Sequence, residues 1–533
     1  MRGAWPQVSP ECYLGMAERT EGNTIEKDHV ESAAPTKEKE KKQHQAGLGH
    51  WMARVLKECD EVSKDFAADP VHDLRVALRR CRSMADGVMA IDPDKSWKRM
   101  KRAGKPLFQA LGELRDAQVM MDWVERLGDA DDPVTKALRD FILGRESHLK
   151  AQSLAALEAF DKKLWSEWCI DLPRRAARIR LGSAVFKHMA LERWTEARDL
   201  HNRAMRSRSQ AALHQLRIGI KRFRYTVENF LPQLHEAWID DLKAMQDVLG
   251  EVHDLDVLWA TASEIKAFPD VASREYWHAQ IVAERGQRVE KYKKKMVGKE
   301  SLWAVWRAAL PQGPQIRSAA LSRLKIWSAF HDPDFQHSQR VASLAVQLFD
   351  GLVAAGVAAS GDLEPRAILY AAALMHDVGR GHKEKDHHKR SGRLIRGVAP
   401  PLGWTALGLQ MAGVVARYHR GALPQPSHKA LAALPAEVRP TAVLLAGILR
   451  LANAFDSRRD GRVRRLEVKR KDGMVIVYAQ GYSAYGPVAE TVAGNRFLLE
   501  RTLRQSVMVR TLAARRARRP RVSKVAAARK MAA

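Results

Sequence analysis

The stretch His72-Asp73-Leu74-Arg75-Val76-Ala77-Leu78-Arg79-Arg80-Cys81-Arg82 decides how the rest of the chain is read. Wound as a helix at about 100° per residue, it gathers His72, Arg75, Arg79 and Arg82 within an arc of roughly 80°. Leu74, Leu78, Cys81 and Ala85 fall on a separate apolar face that must be buried. The pattern returns 142 residues later (72 to 214) as His214-Gln215-Leu216-Arg217-Ile218-Gly219-Ile220-Lys221-Arg222-Phe223-Arg224. His214, Arg217, Lys221 and Arg224 repeat the basic stripe, and Leu216, Ile220, Phe223 and Val227 repeat the apolar one. A solvated basic face is the ordinary meaning of one such helix. Two faces without interleaved acids need another reason, because like charges three and four residues apart repel. Guanidiniums in a line suit a linear chain of phosphates, since each can bond two oxygens.

The repeat extends further. Lys105, Leu111, Gly112, Glu113 and Asp116 recur 138 residues on (105 to 243) as Lys243, Leu249, Gly250, Glu251 and Asp254. Two similar helical bundles imply two basic helices about a pseudo-twofold axis, a positive channel between them, and Lys105 and Lys243 at its margin. Asp116 and Asp254 are expected either to orient the arginines or to be exposed acids at helix ends.

The 533 residues are long enough for two or three domains. A formal charge of +28 and a pI near 10.1 predict an anionic partner. Cys12, Cys59, Cys81 and Cys169 show no paired spacing, which predicts reduced thiols and a cytoplasmic protein. No uninterrupted run of about 18 apolar residues is present, which argues against a membrane span.

Residues 1–48 mix Pro, Glu, Lys and Gln and are expected to be disordered. Helical periodicity fills residues 49–310, with breaks expected at Asp69-Pro70, Asp92-Pro93, Asp132-Pro133, Leu172-Pro173 and Phe268-Pro269. A second unit over 320–510 is also helical, apart from a hairpin turning at Asp472-Gly473 between β-branched runs. Residues 511–533 form a basic tail. The expected fold class is all-α with a small β-hairpin extension.

The second unit carries the sharpest chemistry. His376-Asp377 closes the apolar segment Ala371-Ala372-Ala373-Leu374-Met375, where burying both groups is costly without a partner. His337, His388, His419 and Asp456 each lie on or beside another apolar helix. Such a mixed imidazole and carboxylate set predicts one or two divalent ions, Mn, Mg, Fe or Zn. A metal held this way polarises a phosphoryl oxygen and activates water. Lys389, Arg390, Arg417, Arg420 and Arg450 are near in sequence and can neutralise phosphate.

The twin basic phrases, with the two Leu-Gly-Glu-x-x-Asp phrases, resemble the CHAD domain, the conserved histidine α-helical domain family. The resemblance implies a two-repeat bundle that binds inorganic polyphosphate, with His72, Arg75, Arg79, Arg82, His214, Arg217, Lys221 and Arg224 as contacts. His387-His388-Lys389-Arg390-Ser391, Ala416-Arg417-Tyr418-His419-Arg420 and Ile448-Leu449-Arg450-Leu451-Ala452-Asn453-Ala454-Phe455-Asp456 resemble the HD phosphohydrolase superfamily. They look most like the C-terminal region of the exopolyphosphatase/guanosine pentaphosphate phosphatase family. This second resemblance implies His337, His376, Asp377 and Asp456 as metal ligands, with His388 and His419 added in two-metal members. That family does its chemistry in an actin-like N-terminal domain, whose Gly-rich loops and βαβ pattern are absent from this sequence. Hydrolysis is therefore expected at the metal site itself, with His376, Asp377 and Lys389 as catalytic residues.

The expected partners are inorganic polyphosphate, phosphorylated nucleotides and, through the tail, nucleic acid; no membrane partner is expected. The expected place in the cell is the cytoplasm, where polyphosphate granules are one site it could occupy. The alternatives are a non-catalytic polyphosphate sensor with an HD scaffold, and a nucleic-acid-associated basic protein.

Overall fold

The computed structural model describes residues 47–64, 66, 68–359, 364–381 and 385–512. Most of the expected N-terminal disorder, Cys12 and nearly all of the basic tail lie outside the described residues. Leu48 opens the first helix and Thr511 closes the last strand, so regular structure reaches one residue into each of those segments.

In the first half, α1 (Leu48–Lys64), α2 (Ala68–Met89), α3 (Lys95–Ala103), α4 (Lys105–Leu127), α5 (Pro133–Glu158) and α6 (Lys162–Ala176) form one copy of the repeat. The second copy comprises α7 (Ala184–Ser207), α8 (Gln210–Phe230), α9 (Pro232–Glu264) and α10 (Val271–Met296). The packing is repeated with the sequence: α1 pairs with α2 as α7 does with α8, and α4 pairs with α5 as α9 does with α10. Across the copies, α2 packs on α8 and α4 on α9. The 33-residue α9 has a broken counterpart. Residues 95–127 span the same 33 positions (127 − 95 + 1) but divide at Gly104 into α3 and α4. A side chain there would stand 3.3 Å from the Trp165 ring, so the break lets the buried tryptophan of α6 approach.

Three expected breaks fall between helices, at Asp92-Pro93, Asp132-Pro133 and Phe268-Pro269. The other two do not separate elements. Pro70 lies in the first turn of α2, where its missing N–H costs little. Pro173 sits inside α6, which runs on to Ala176. Arg175, beyond the proline, donates from Nε to buried Asp92 at 2.6 Å. That bond anchors the last turn and offsets the interruption.

Both copies bury their apolar faces in one core that includes Leu74, Leu78, Cys81, Leu216, Ile220 and Phe223. A smaller cluster around Trp123, Leu138, Leu255 and Trp277 joins α4, α5, α9 and α10 at their far ends. Asp116 and Asp254 fall between the residues that α4 and α9 give to these two layers. Cys59 and Cys81 are buried free thiols, and burial pushes Cys59 up to about 12.

After α11 (Leu302–Ala308), α12 (Pro314–His331) packs on α7 and leads into the second half. There α13 (Phe335–Ala354), α14 (Pro365–Met375), α15 (His387–Arg396), α16 (Ala406–Arg417), the short α17 (Lys429–Ala432) and α18 (Arg439–Phe455) enclose a second core. Ala436–Phe455 has the length and apolarity of a membrane span, but it is a core helix packed on α13, α16 and a later helix. Strands β1 (Arg465–Lys471) and β2 (Met474–Gln480) form the expected antiparallel hairpin at Asp472-Gly473. Then α19 (Pro487–Asn495) and α20 (Phe497–Leu503) return the chain to β3 (Val507–Thr511), which pairs parallel with β2. The β extension is thus three-stranded, with β2 in the middle. The molecule is otherwise helical, as the periodicity predicts.

Candidate functional site

The α2 and α8 stripes meet. Arg75, Arg79 and Arg217 all lie close enough to Lys221 to disfavour its charge, with Asp116 the one acid acting the other way. Burial first, and then these guanidiniums, pull Lys221 down to about 8. Arg79 and Lys221 also stand over the Tyr225 ring, 5.3 and 5.9 Å from its centre. Asp254 is pushed up to about 6, mainly by burial, against the pull of Arg217. His253, whose Nδ1 is 3.3 Å from that of His214, is brought down to about 4 by burial and then Arg217.

Not every stripe residue joins this cluster. Arg82 donates to the Lys101 carbonyl at 2.7 Å and lies over Phe108, while Arg224 stands 4.0 Å from Glu228. His72, Lys105 and Lys243 are exposed. Arg80, outside the stripe, ties the copies together through Glu228 and through Asn229 at 3.2 Å.

A polyanion favours the protonated forms of both Lys221 and Asp254, so its binding takes up protons. Affinity for a polyanion seated there should therefore fall as pH rises from about 6 to 9, roughly tenfold for each pKa unit that the ligand restores. In calorimetric titrations, Asp254→Asn should flatten the acidic leg and Lys221→Arg the alkaline one. Unaltered profiles in both variants would contradict the assignment.

The second cluster is buried in the C-terminal half. His376 caps α14 and donates from Nδ1 to the Ala373 carbonyl at 2.7 Å, a tautomer assigned from that bond. His419, just past α16, does the same to Ala416 at 2.7 Å. Each ring therefore turns an Nε2 lone pair toward Asp377, whose Oδ1 is 3.5 Å from His376 and 3.7 Å from His419. Burial, above all, keeps both rings below their ordinary pKa. His376 Nε2 has no hydrogen-bond partner and no solvent contact. A buried lone pair facing a carboxylate is repulsive unless a cation lies between them, so the donor set fits a metal. Two groupings have ligand atoms within 4.8 Å of one another: His337, His376 and Asp377, and Asp377, His387 and His419. This buried cluster could hold a metal, with Asp377 shared by both groupings.

Burial alone would raise the Asp377 carboxyl; protonated His376 and His419 would pull it down, and the hydrogen bonds from His387 and Arg459 hold it well below the usual range. Arg459 donates to Asp377 Oδ2 at 2.7 Å and to Asp334 at 2.6 Å. The cluster opens into a cavity of about 440 Å³ that also exposes Arg420, Asn453, Thr491 and Asn495.

The structure redistributes the expected ligands. His387, rather than His388, reaches Asp377, at 3.1 Å. At the start of α15 the two neighbours point differently, and His388 faces an adjoining cavity with Lys389. Lys389 pairs with Asp386 at 3.0 Å and does not line the cavity of the cluster. Asp456 is outside both ligand groupings among the described residues. It accepts from His337 Nδ1 at 2.7 Å, Arg340 Nε at 2.8 Å and the Gly461 amide at 3.0 Å. Asp456 thus fixes the His337 ring. Arg459, Arg340 and Asn453 were not legible as site residues, although the Asp456-Ser457-Arg458-Arg459 run placed a guanidinium near a ligand helix.

Gly379 holds the arrangement together. A Cβ there would stand 2.5 Å from the His387 carbonyl and 2.7 Å from the Ser391 amide. Gly379→Ala should force α15 outward, lower the melting temperature by several degrees and weaken metal uptake through His387. Thermal melts and metal titration with the full chain would check both effects.

Comparison with known families agrees with the two halves. Residues 46–263 match the model of the CHAD domain, and residues 316–484 match that of the Ppx/GppA phosphatase, domain III. No curated protein matches the chain. Both matches point to polyphosphate-related or nucleotide-related chemistry and neither to nucleic acid. Residues 46–263 are thus similar to the CHAD domain and residues 316–484 to domain III of the Ppx/GppA phosphatase.

Proposed function

We propose that the protein binds inorganic polyphosphate between α2 and α8 and hydrolyses a phosphoanhydride bond, in polyphosphate or a phosphorylated nucleotide, at the His376–Asp377 cluster. The observation that carries this reading is Lys221, a half-buried ammonium crowded by three guanidiniums with one opposing carboxylate. Such a cluster is costly in the free protein and is relieved by a dense anion. Nucleobases are not needed for that relief, and a chain of phosphates matches the linear stripes.

For the reaction, His337, His376, Asp377, His387 and His419 would hold one or two divalent ions. Several imidazoles with one carboxylate favour Mn, Fe or Zn over Mg. The metal, when bound, supplies Lewis-acid polarisation of phosphorus and activation of water. The chain itself contributes Asp456, which orients His337, and Arg420, which faces the cavity and can bind phosphoryl oxygens. Metal analysis of the purified protein, with a phosphate-release screen over polyphosphate and phosphorylated nucleotides, tests the reading. Absence of both metal and release would reject the hydrolytic half.

One observation favours a second reading, a non-catalytic polyphosphate sensor. Arg459 already partners Asp377 at 2.7 Å, and a built-in cation can stabilise the fold without a metal.

A further inference from the structure

Next to the metal cluster lies a cavity of about 760 Å³ whose wall carries six Lys and Arg side chains, against four in the cavity it adjoins. Lys389, Arg393, Arg396, Arg417, Arg420 and Lys429 line it, and Asp386 is the one acid in its wall. Asp386 is committed to Lys389 at 3.0 Å. No carboxylate pairs with Arg393, Arg417, Arg420 or Lys429 among the described residues.

Close backbone packing creates this density of charge. A Cβ on Gly392 would stand 2.8 Å from the Gly413 carbonyl and 2.9 Å from the Arg417 Cβ, and one on Gly413 would stand 2.7 Å from Arg396 Cγ. The two glycines let α15 and α16 approach, which brings their arginines to one wall. Like charges are thereby concentrated at a cost that a surface helix pair would not need.

The cavity also connects. It shares Arg420 and Gly421 with the cavity of the metal cluster. Gly421 has φ +74°, and a Cβ there would stand 2.9 Å from His388 Nε2, so glycine keeps the junction narrow-walled and open. Arg450 fixes this loop by donating to the carbonyls of Tyr418 at 3.2 Å and Gly421 at 3.0 Å. On the other side the cavity shares Arg393 with a further cavity of about 780 Å³. That one is lined by Arg390, Arg323 and Ala90, the residue after α2. Arg390 Nε is buried and unpartnered.

We propose that the cavity between α15 and α16 is a second binding site for a linear phosphate chain, distinct from the α2–α8 cluster and continuous with the metal cluster. It rests on the polyphosphate reading above for its ligand, but not on hydrolysis. A chain seated here has its end at Arg420, beside the His387–Asp377–His419 grouping, and its other end directed toward α2. The guanidiniums recognise the phosphates alone, so a free chain and the triphosphate of a nucleotide share the determinant.

The test uses the full chain carrying Arg75→Glu and Arg217→Glu, which disables the first site, with tripolyphosphate and ATP as probes at moderate salt. This background should retain tripolyphosphate binding. Adding Arg393→Glu and Arg417→Glu should weaken it by on the order of tenfold per arginine, and ATP binding equally. Arg393→Gln and Arg417→Gln, which perturb folding less, should give a smaller loss in the same order. Unchanged tripolyphosphate affinity in these folded variants would overturn the site. ATP binding that depends on the arginines without any tripolyphosphate binding would overturn the phosphate-chain assignment in favour of nucleotide recognition. Lack of phosphate release by the unmodified protein would reject the hydrolase reading and leave this binding result standing.

Discussion

Replacing Arg75 and Arg217 together by glutamate should lower affinity for long-chain polyphosphate by roughly 100-fold or more. Each guanidinium–phosphate contact is worth about 1.5–3 kcal/mol as a charge-assisted bond, and reversal adds repulsion to the loss. The two residues belong to different copies of the repeat yet act on the same Lys221, so their effects should not simply add. Removing Arg217 also relieves Lys221, whose recovered charge returns part of the binding. The double variant should therefore fall short of the sum of the single ones. Affinity should drop steeply with salt in the parent protein, because a dense polyanion releases condensed counterions, and less steeply in the variant. Neither arginine is in an ion pair among the described residues, so the variants should fold. Unchanged affinity would mean that the facing stripes are solvated helix surfaces.

What the sequence disclosed, and what it withheld, follows from the range of the forces involved. The helical period, the repeat and the apolar faces are local patterns. They place Phe223 and Cys81 on buried faces and Arg75 and Arg217 on another; the structure buries the first two and leaves the arginines half-buried. The choice between His387 and His388 is not local. Adjacent residues on a helix point about 100° apart, and only the seating of α15 against Gly379 selects His387. Asp456 is similar: its position at the end of α18 was legible, but Arg340, from α13, engages the same carboxylate oxygen as His337. Lys389 is near the ligands in sequence, yet it pairs with Asp386 and lines the adjoining cavity. Pro173 continued a helix because Asp92, 81 positions earlier (173 − 92), rewards the next turn through Arg175. β3 was missed for a related reason, since a parallel partner for β2 arrives only after α19 and α20.

Substitution of Asp377 by alanine should abolish metal binding and lower phosphate release by at least about a thousandfold, the scale of several kcal/mol of metal assistance. Asp377 is the residue common to both ligand groupings, so no single change removes more of the site. Its loss also strips Arg459 of one carboxylate. That arginine keeps Asp334 at 2.6 Å, so the direct cost to folding should be modest, about 1–2 kcal/mol. Thermal melts separate the two effects. A divalent ion that binds only the folded protein stabilises it by mass action, so added Mn should raise the melting temperature of the parent. It should leave that of Asp377→Ala unmoved. Arg459→Gln gives the converse control. It removes the competing cation from Asp377 Oδ2, and metal affinity should hold or rise if the metal and not the guanidinium is the working partner. A parent protein that gains no stability from any divalent ion, together with an Arg459→Gln variant that melts well below it, would show that Arg459 is the permanent counter-charge of Asp377. The C-terminal half would then be a scaffold for the polyphosphate sites rather than a hydrolase.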